Sequence, residues 1–170
     1  MPDVVIGRSP LPPADYIAET RHLYSRLGYE PYRWAERPEP PPWRPVTRPL
    51  SECTVGLIAS GGVYETGQVA FHHRDDTSIR IIGSGVETGR LRATHFAYDL
   101  TDARADPNCV FPVDTLRHLA AAGVIGGLSD QLYTFMGGIY SVRKLEEVTA
   151  PRIVSLVTGA PPDIVLLVPV

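Results

Sequence analysis

His95 and Asp99, in the stretch "ATHFAYDLTD", are the residues whose types and spacing best suit proton transfer. An imidazole titrates near neutral pH, so it serves as general base or acid, and a carboxylate beside it fixes its tautomer. The two positions differ by an even number, so an extended chain would put both on one face of a strand. A hydrogen-bonded core histidine is the competing reading, and the residues alone leave both open. Glu65, in "LIASGGVYETGQ", is a reserve acid. Gly61 and Gly62 in the same stretch follow an apolar run, where backbone amides can hold a carboxylate or phosphate, although a Gly-Gly pair is also an ordinary turn. Neither GxGxxG nor GxxxxGK[ST] occurs, so nucleotide binding by those devices is not expected.

Cys109, in "DPNCVFPVDTLRHLAAAGVIG", stands just ahead of a helix start at Asp114. A helix amino terminus favours a thiolate, but only if "VFP" folds back; the apolar neighbours Val110 and Phe111 favour burial and an inert thiol instead. Cys53 and Cys109 are too far apart for a CxxC pair and too few for a disulfide framework, so two reduced thiols are expected. Tyr133, Met136 and Gly137, in "YTFMGGIYS", suit the wall and floor of an apolar pocket, or a tight approach of helix to sheet. Tyr64 and Asn108 complete the candidate binding set. His72 and His73 precede Asp75 and Asp76, but no HxH or HxxxH spacing accompanies them, so a solvated loop is expected and no metal site is assigned.

The elements that must position these groups follow from composition. The chain has 170 residues, is 44% hydrophobic and 21% charged, and carries a net charge of −3, the profile of a globular protein with no basic patch for nucleic acid. No apolar run approaches the roughly 20 residues of a membrane span, and the amino terminus lacks a basic region followed by an apolar core, so a cytoplasmic location is expected.

Of the 17 prolines, 11 fall in residues 1–50, which divides the chain into an amino-terminal helix with a proline-rich arm (1–50) and an α/β domain (51–170). The periodicity of "ADYIAETRHLYSRLG" predicts a helix stopped by Gly28. "PEPPPWRPVTRPL" must be extended, and Trp34 and Trp43 point to apolar anchoring on the main body or a partner. Downstream, "TVGLIASGG", "SIRIIGSG" and "LRATHFAYD" read as strands, "VDTLRHLAAAGVIGG" as a helix with Asp114 as its cap, and "KLEEVTAPRIVSLVTGA" as a helix divided or restarted at Pro151. "PDIVLLVPV" reads as a wholly buried strand. Strand, helix, strand in that order predicts an α/β fold: an open, mainly parallel sheet in a three-layer sandwich, with ligands at the carboxyl ends of the strands.

Three stretches together, "GLIASGGVY", "THFAYDLTDARADPNCVFPVDTLRHLAAAGVIGGLSDQLYTFMGGI" and "APPDIVLLVPV", resemble the selenoprotein B family of the glycine, sarcosine, betaine and D-proline reductases, and its D-proline reductase branch most of all. The resemblance covers roughly residues 54–170, and "DxNCVFPVDxL" followed by "FMG" is its most specific part. It implies a partner subunit whose pyruvoyl group activates a substrate amine, and a selenocysteine or cysteine that breaks the carbon–nitrogen bond reductively. In the family that nucleophile lies just after the strand matching "DIVLLVPV", and this sequence ends at Val170, before any such motif. The expectation is therefore either a fragment or a shortened homologue without the nucleophile. Cys109 matches a family cysteine that is not the attacking residue, which favours a framework or secondary pocket role.

The leading expectation is an enzyme that keeps the family's small-molecule pocket and uses it, without a cofactor, for proton-transfer chemistry such as isomerisation, elimination or cyclisation on an amino-acid-like metabolite. There Gly61 and Gly62 hold an acidic group, His95 shuttles a proton with Asp99 orienting it, and Tyr133 and Met136 line the apolar side. A non-catalytic subunit that binds a partner through the arm and an open sheet edge, or a reductase component completed by a further segment, are the alternatives. A homo-oligomer is favoured over a monomer, and no nucleic acid or membrane partner is expected.

Overall fold

In a computed structural model, residues 15–31 and 36–170 are described. They fall into two compact units that divide between Pro41 and Pro42. In the first unit, helix α1 (Tyr16–Arg26) starts at Asp15, whose side chain accepts from the Ala18 amide at 3.0 Å, and ends ahead of Gly28, at φ +77°. That is the helix and the stop its periodicity predicts. The expected anchoring through Trp34 lies outside the described residues.

The second unit is built on a five-stranded sheet. Strand β1 (Thr54–Ala59) occupies its centre and pairs in parallel with β5 (Gly127–Leu128), β6 (Gln131–Phe135) and β7 (Ile164–Val168). Both β5 and β6 follow β1 in one line, Thr54 opposite Gly127 and Ile58 opposite Tyr133, so β7 takes the other side. Strand β3 (Ile79–Gly83) adds to β6 in the antiparallel sense. A smaller antiparallel pair joins β2 (Val63–Glu65) to β4 (Leu91–Ala93). The fold is thus α/β with an open, mostly parallel sheet.

Helices cover both faces. Strand side chains alternate, so Val55, Leu57 and Ala59 point to one face, where they join Leu132, Ile82, Phe111 and the Val113 and Leu116 side chains of α3 (Val113–Ala121) in a single core. Burying each large member contributes about 1.5–3 kcal/mol. On the opposite face, Tyr133 reaches α5 (Ala150–Gly159), its hydroxyl 3.3 Å from the Leu156 carbonyl oxygen. The helix preceding α5 begins as the short turn α4 (Val142–Lys144) and widens to a π turn over Leu145–Thr149. Pro151 explains the widening, because it has no amide to give to residue 147 and its ring crowds that carbonyl.

Four expectations change here. Asp114 does not cap α3, since Pro112 holds the cap position and Asp114 lies in the first turn. The third strand ends at Ala93 rather than running on through Tyr98, and the chain turns into loop and then the short helix α2 (Thr101–Ala105). Strand β7 is not wholly buried: it pairs only with β1 among the described residues, and Val165, Leu166 and Leu167 are exposed. Trp43 is 82% exposed, so it is not anchored among the described residues.

Candidate functional site

The carboxyl ends of β1, β6 and β7 are drawn together by the backbone of the loops that leave them. Gly62 N–H donates to the Phe135 carbonyl at 3.0 Å, Gly137 N–H to the Ser60 carbonyl at 2.8 Å, and Val170 N–H to Ser60 Oγ at 2.9 Å. The loop after β4 closes on the same point, since Thr94 N–H donates to the Gly62 carbonyl at 3.0 Å and Tyr98 Oη–H to the Gly61 carbonyl at 2.8 Å. Glycine at position 62 is required on two counts: φ is +68°, and a Cβ would stand 2.1 Å from the Thr94 carbonyl oxygen. In an α/β sheet this end is where ligands sit.

His95 lies at the junction, with only 8% of its surface exposed. Its Nδ1 accepts from the Ala97 amide at 3.0 Å, which leaves the proton of the neutral ring on Nε2. That Nε2 is buried and has no hydrogen-bond partner among the described residues. Burial lowers the pKa of the imidazole, so the ring is neutral at neutral pH. Phe96 stacks on it, ring centroids 5.8 Å apart, and Tyr98 lies 4.7 Å away on the same measure. Phe96 in turn stacks on Tyr140 and fills the space a side chain on Gly138 would take, 2.2 Å from the position of its Cβ. The result is a neutral N–H donor in an aromatic, water-poor setting, where an unmet donor costs about 1–3 kcal/mol.

The structure brings some of the expected residues here and sends others away. Asp99 does not orient His95: its Oδ1 accepts from the amide and hydroxyl of Thr101, at 2.9 and 2.7 Å, and these bonds, the hydroxyl's first, lower its pKa. The even spacing fails because β4 stops before either residue. Gly61 and Gly62 stand at the site, but the Gly62 amide is taken by Phe135, so that amide holds no anion. Met136 is buried beside them and accepts at Sδ from the Gly138 amide. Gly137 is there through its bond to Ser60.

Tyr133 instead faces a cleft of about 730 Å³ under α5, at the other end of the sheet, with Ser129 and Ser155. Glu65 is ion-paired, its Oε1 receiving Arg90 Nε at 2.8 Å. Asn108 is fully engaged in its own loop: Nδ2 donates to Asp106 and Asp114, and Oδ1 accepts from the Asp114 amide at 2.9 Å. Cys109 is exposed rather than packed, while Cys53 is buried. Residual burial, helped by the charges of Asp106 and Asp102, raises the Cys109 pKa and keeps it a thiol. His72 and His73 sit on an exposed loop, where Asp76 accepts from the His72 amide.

Two residues escaped the sequence reading. Arg92 and Arg104 line a cleft of about 350 Å³ with Tyr64 and Thr94, on the outer face of the β2–β4 pair. The alternation in "LRAT" carried the signal for Arg92; nothing in "TDARADP" pointed Arg104 toward it.

The fold is an open, mostly parallel α/β sheet whose loops gather a buried imidazole at the carboxyl ends of its strands. Sequence comparison supplies the family. Residues 32–167 match the family model described as glycine/sarcosine/betaine reductase selenoprotein B, and the chain belongs to that family. It is 36% identical over 128 residues to the D-proline reductase subunit gamma of Acetoanaerobium sticklandii, a match covering 75% of this chain and 53% of that protein. It is 33% identical over 131 residues to the glycine reductase complex component B subunit gamma of Symbiobacterium thermophilum, covering 71% of this chain and 30% of that one. The same subunit of Carboxydothermus hydrogenoformans is 32% identical over 108 residues, covering 59% and 24%. The chain thus spans about half the length of the first relative and less than a third of the others. No solved structure matches it. Among the described residues, no helix is long and apolar enough to cross a membrane.

Proposed function

We propose that this chain is the pocket-forming domain of a D-proline- or glycine-reductase-type component, binding an amino-acid-like metabolite at the carboxyl ends of β1, β6 and β7. The observation that carries the reading is the unmet Nε2–H of His95 at the meeting point of the loops that leave the sheet. In this reading His95 is a hydrogen-bond donor to a ligand oxygen. It is not a general base, because Nδ1 is occupied by the Ala97 amide and no carboxylate among the described residues supports the ring. Phe96, 40% exposed, stacks on the imidazole. Isomerisation or elimination driven by a His95–Asp99 pair loses its support, since Asp99 serves Thr101.

A partner subunit belongs to the same reading. The outer edge of β7 presents Val165, Leu166 and Leu167, with Leu167 66% exposed, and an apolar edge unpaired among the described residues invites a further strand or a covering chain.

Titration calorimetry tests the proposal with D-proline, glycine, sarcosine and betaine against the wild type and His95→Gln. Saturable binding of at least one, weakened about tenfold or more in the folded variant, is expected from loss of one buried hydrogen bond to a charged ligand group. Absence of binding by all four, or equal affinity in the variant, overturns it.

A further inference from the structure

We infer that the cleft lined by Tyr64, Arg92, Thr94 and Arg104 is a binding site for a small oxyanion, a carboxylate or phosphate group of a metabolite. This goes beyond the strand-end reading and rests on a different cleft. The site is built by register. Tyr64 lies directly opposite Arg92 in the antiparallel β2–β4 pair, and Thr94, the first residue after β4, brings its Oγ1 within 3.4 Å of Tyr64 Oη. The other face of the pair carries Val63, Leu91 and Ala93 into the core, which fixes the polar face outward. Arg104 comes from α2, where Ala103 is buried and anchors the helix.

The donors are poised without being spent. Arg92 uses only Nη1 on the protein, donating to the Gly89 and Leu91 carbonyls at 2.8 and 2.7 Å; these bonds hold the guanidinium in place and leave Nε and Nη2 for a ligand. The Arg104 side chain makes no hydrogen bond or ion pair with the described residues, and its charge is felt through space by Asp99 and Tyr98. Thr94 Oγ1 lies 3.4 Å from Tyr64 Oη, a long contact that leaves both hydroxyls able to turn toward a guest. Two guanidiniums facing one concavity with no acid among its lining residues create a positive potential that a carboxylate or phosphate relieves. The volume of about 350 Å³ lies at the lower end of the usual ligand range.

The test titrates the whole chain with inorganic phosphate and, separately, succinate, in low-salt buffer at pH 7.5, with ethylammonium as a cationic control. Saturable binding of one or both anions and none of the cation is expected. Arg104→Gln should weaken it about tenfold or more without changing the melting temperature, since that side chain holds nothing in the fold. Tighter phosphate assigns a phosphate-bearing ligand; tighter succinate assigns a carboxylate. Because no hydrogen bond or ring contact joins Arg104 to His95, binding of the amino-acid panel should survive the substitution, which separates failure here from failure of the strand-end proposal. No saturable binding of either anion, or unchanged affinity in Arg104→Gln, overturns the assignment.

Discussion

A side-chain carbon on Gly62 would stand 2.1 Å from the carbonyl oxygen of Thr94, while the Thr94 amide donates to the Gly62 carbonyl at 3.0 Å. The loops after β1 and β4 are therefore in backbone-to-backbone contact, and this contact sets the position of His95 one residue on. Gly62→Ala combines a left-handed backbone with an overpacked contact, together about 2–4 kcal/mol of lost stability. Urea unfolding at neutral pH measures it, and a loss below about 1 kcal/mol would show that the loops separate freely.

Burial of neutral His95 makes stability depend on pH in a defined direction. The unfolded chain takes up a proton near pH 6.5, whereas the folded ring resists, its pKa lowered by burial. The contribution is fully present above about pH 6.5 and is lost as pH falls toward the depressed folded value. His95→Gln should flatten the fall in urea midpoint between pH 7.5 and 5.5. Parallel curves for wild type and variant would place the ring in water.

The two thiols should separate by accessibility and by charge. Cys109 is exposed but held protonated, so iodoacetamide should modify it slowly at pH 7 and increasingly above the ordinary cysteine range. Cys53, buried with its Sγ 3.3 Å from the Pro49 carbonyl oxygen, should react only on unfolding. Site-resolved mass spectrometry follows both. Rapid alkylation of Cys109 at pH 6 would contradict a pKa raised by burial and by the charges of Asp106 and Asp102.

Much of the architecture was legible because it follows from periodicity and punctuation. The β1 and α3 patterns and the stop at Gly28 each have a local cause, whereas Pro151 widens a continuous helix into a π turn instead of dividing it or starting a fresh one at Ala150. The site was legible only in part. Gly61, Gly62, Met136, Gly137 and His95 do gather at the strand ends, yet their roles depended on a strand boundary. Ending β4 at Ala93 undid the shared face of His95 and Asp99, and Thr101, two residues on, captured the carboxylate. The Gly62 amide was lost to Phe135, a pairing set by sheet register across more than seventy positions and invisible locally. The burial of β7 was overestimated because an apolar run records a tendency to be covered and not whether a neighbour is present. Arg104 reached its cleft through the packing of α2, a tertiary fact.

The central claim is that His95 waits as a neutral Nε2–H donor for a ligand oxygen. Nitrogen-15 NMR of the His95 imidazole at pH 7 tests it most directly, recorded before and after addition of D-proline, glycine, sarcosine and betaine in turn. The account predicts a neutral ring with its proton on Nε2, and a shift of that nitrogen when a member of the panel binds. A proton on Nδ1, a charged ring at pH 7, or an Nε2 signal unmoved by a ligand that binds would contradict it.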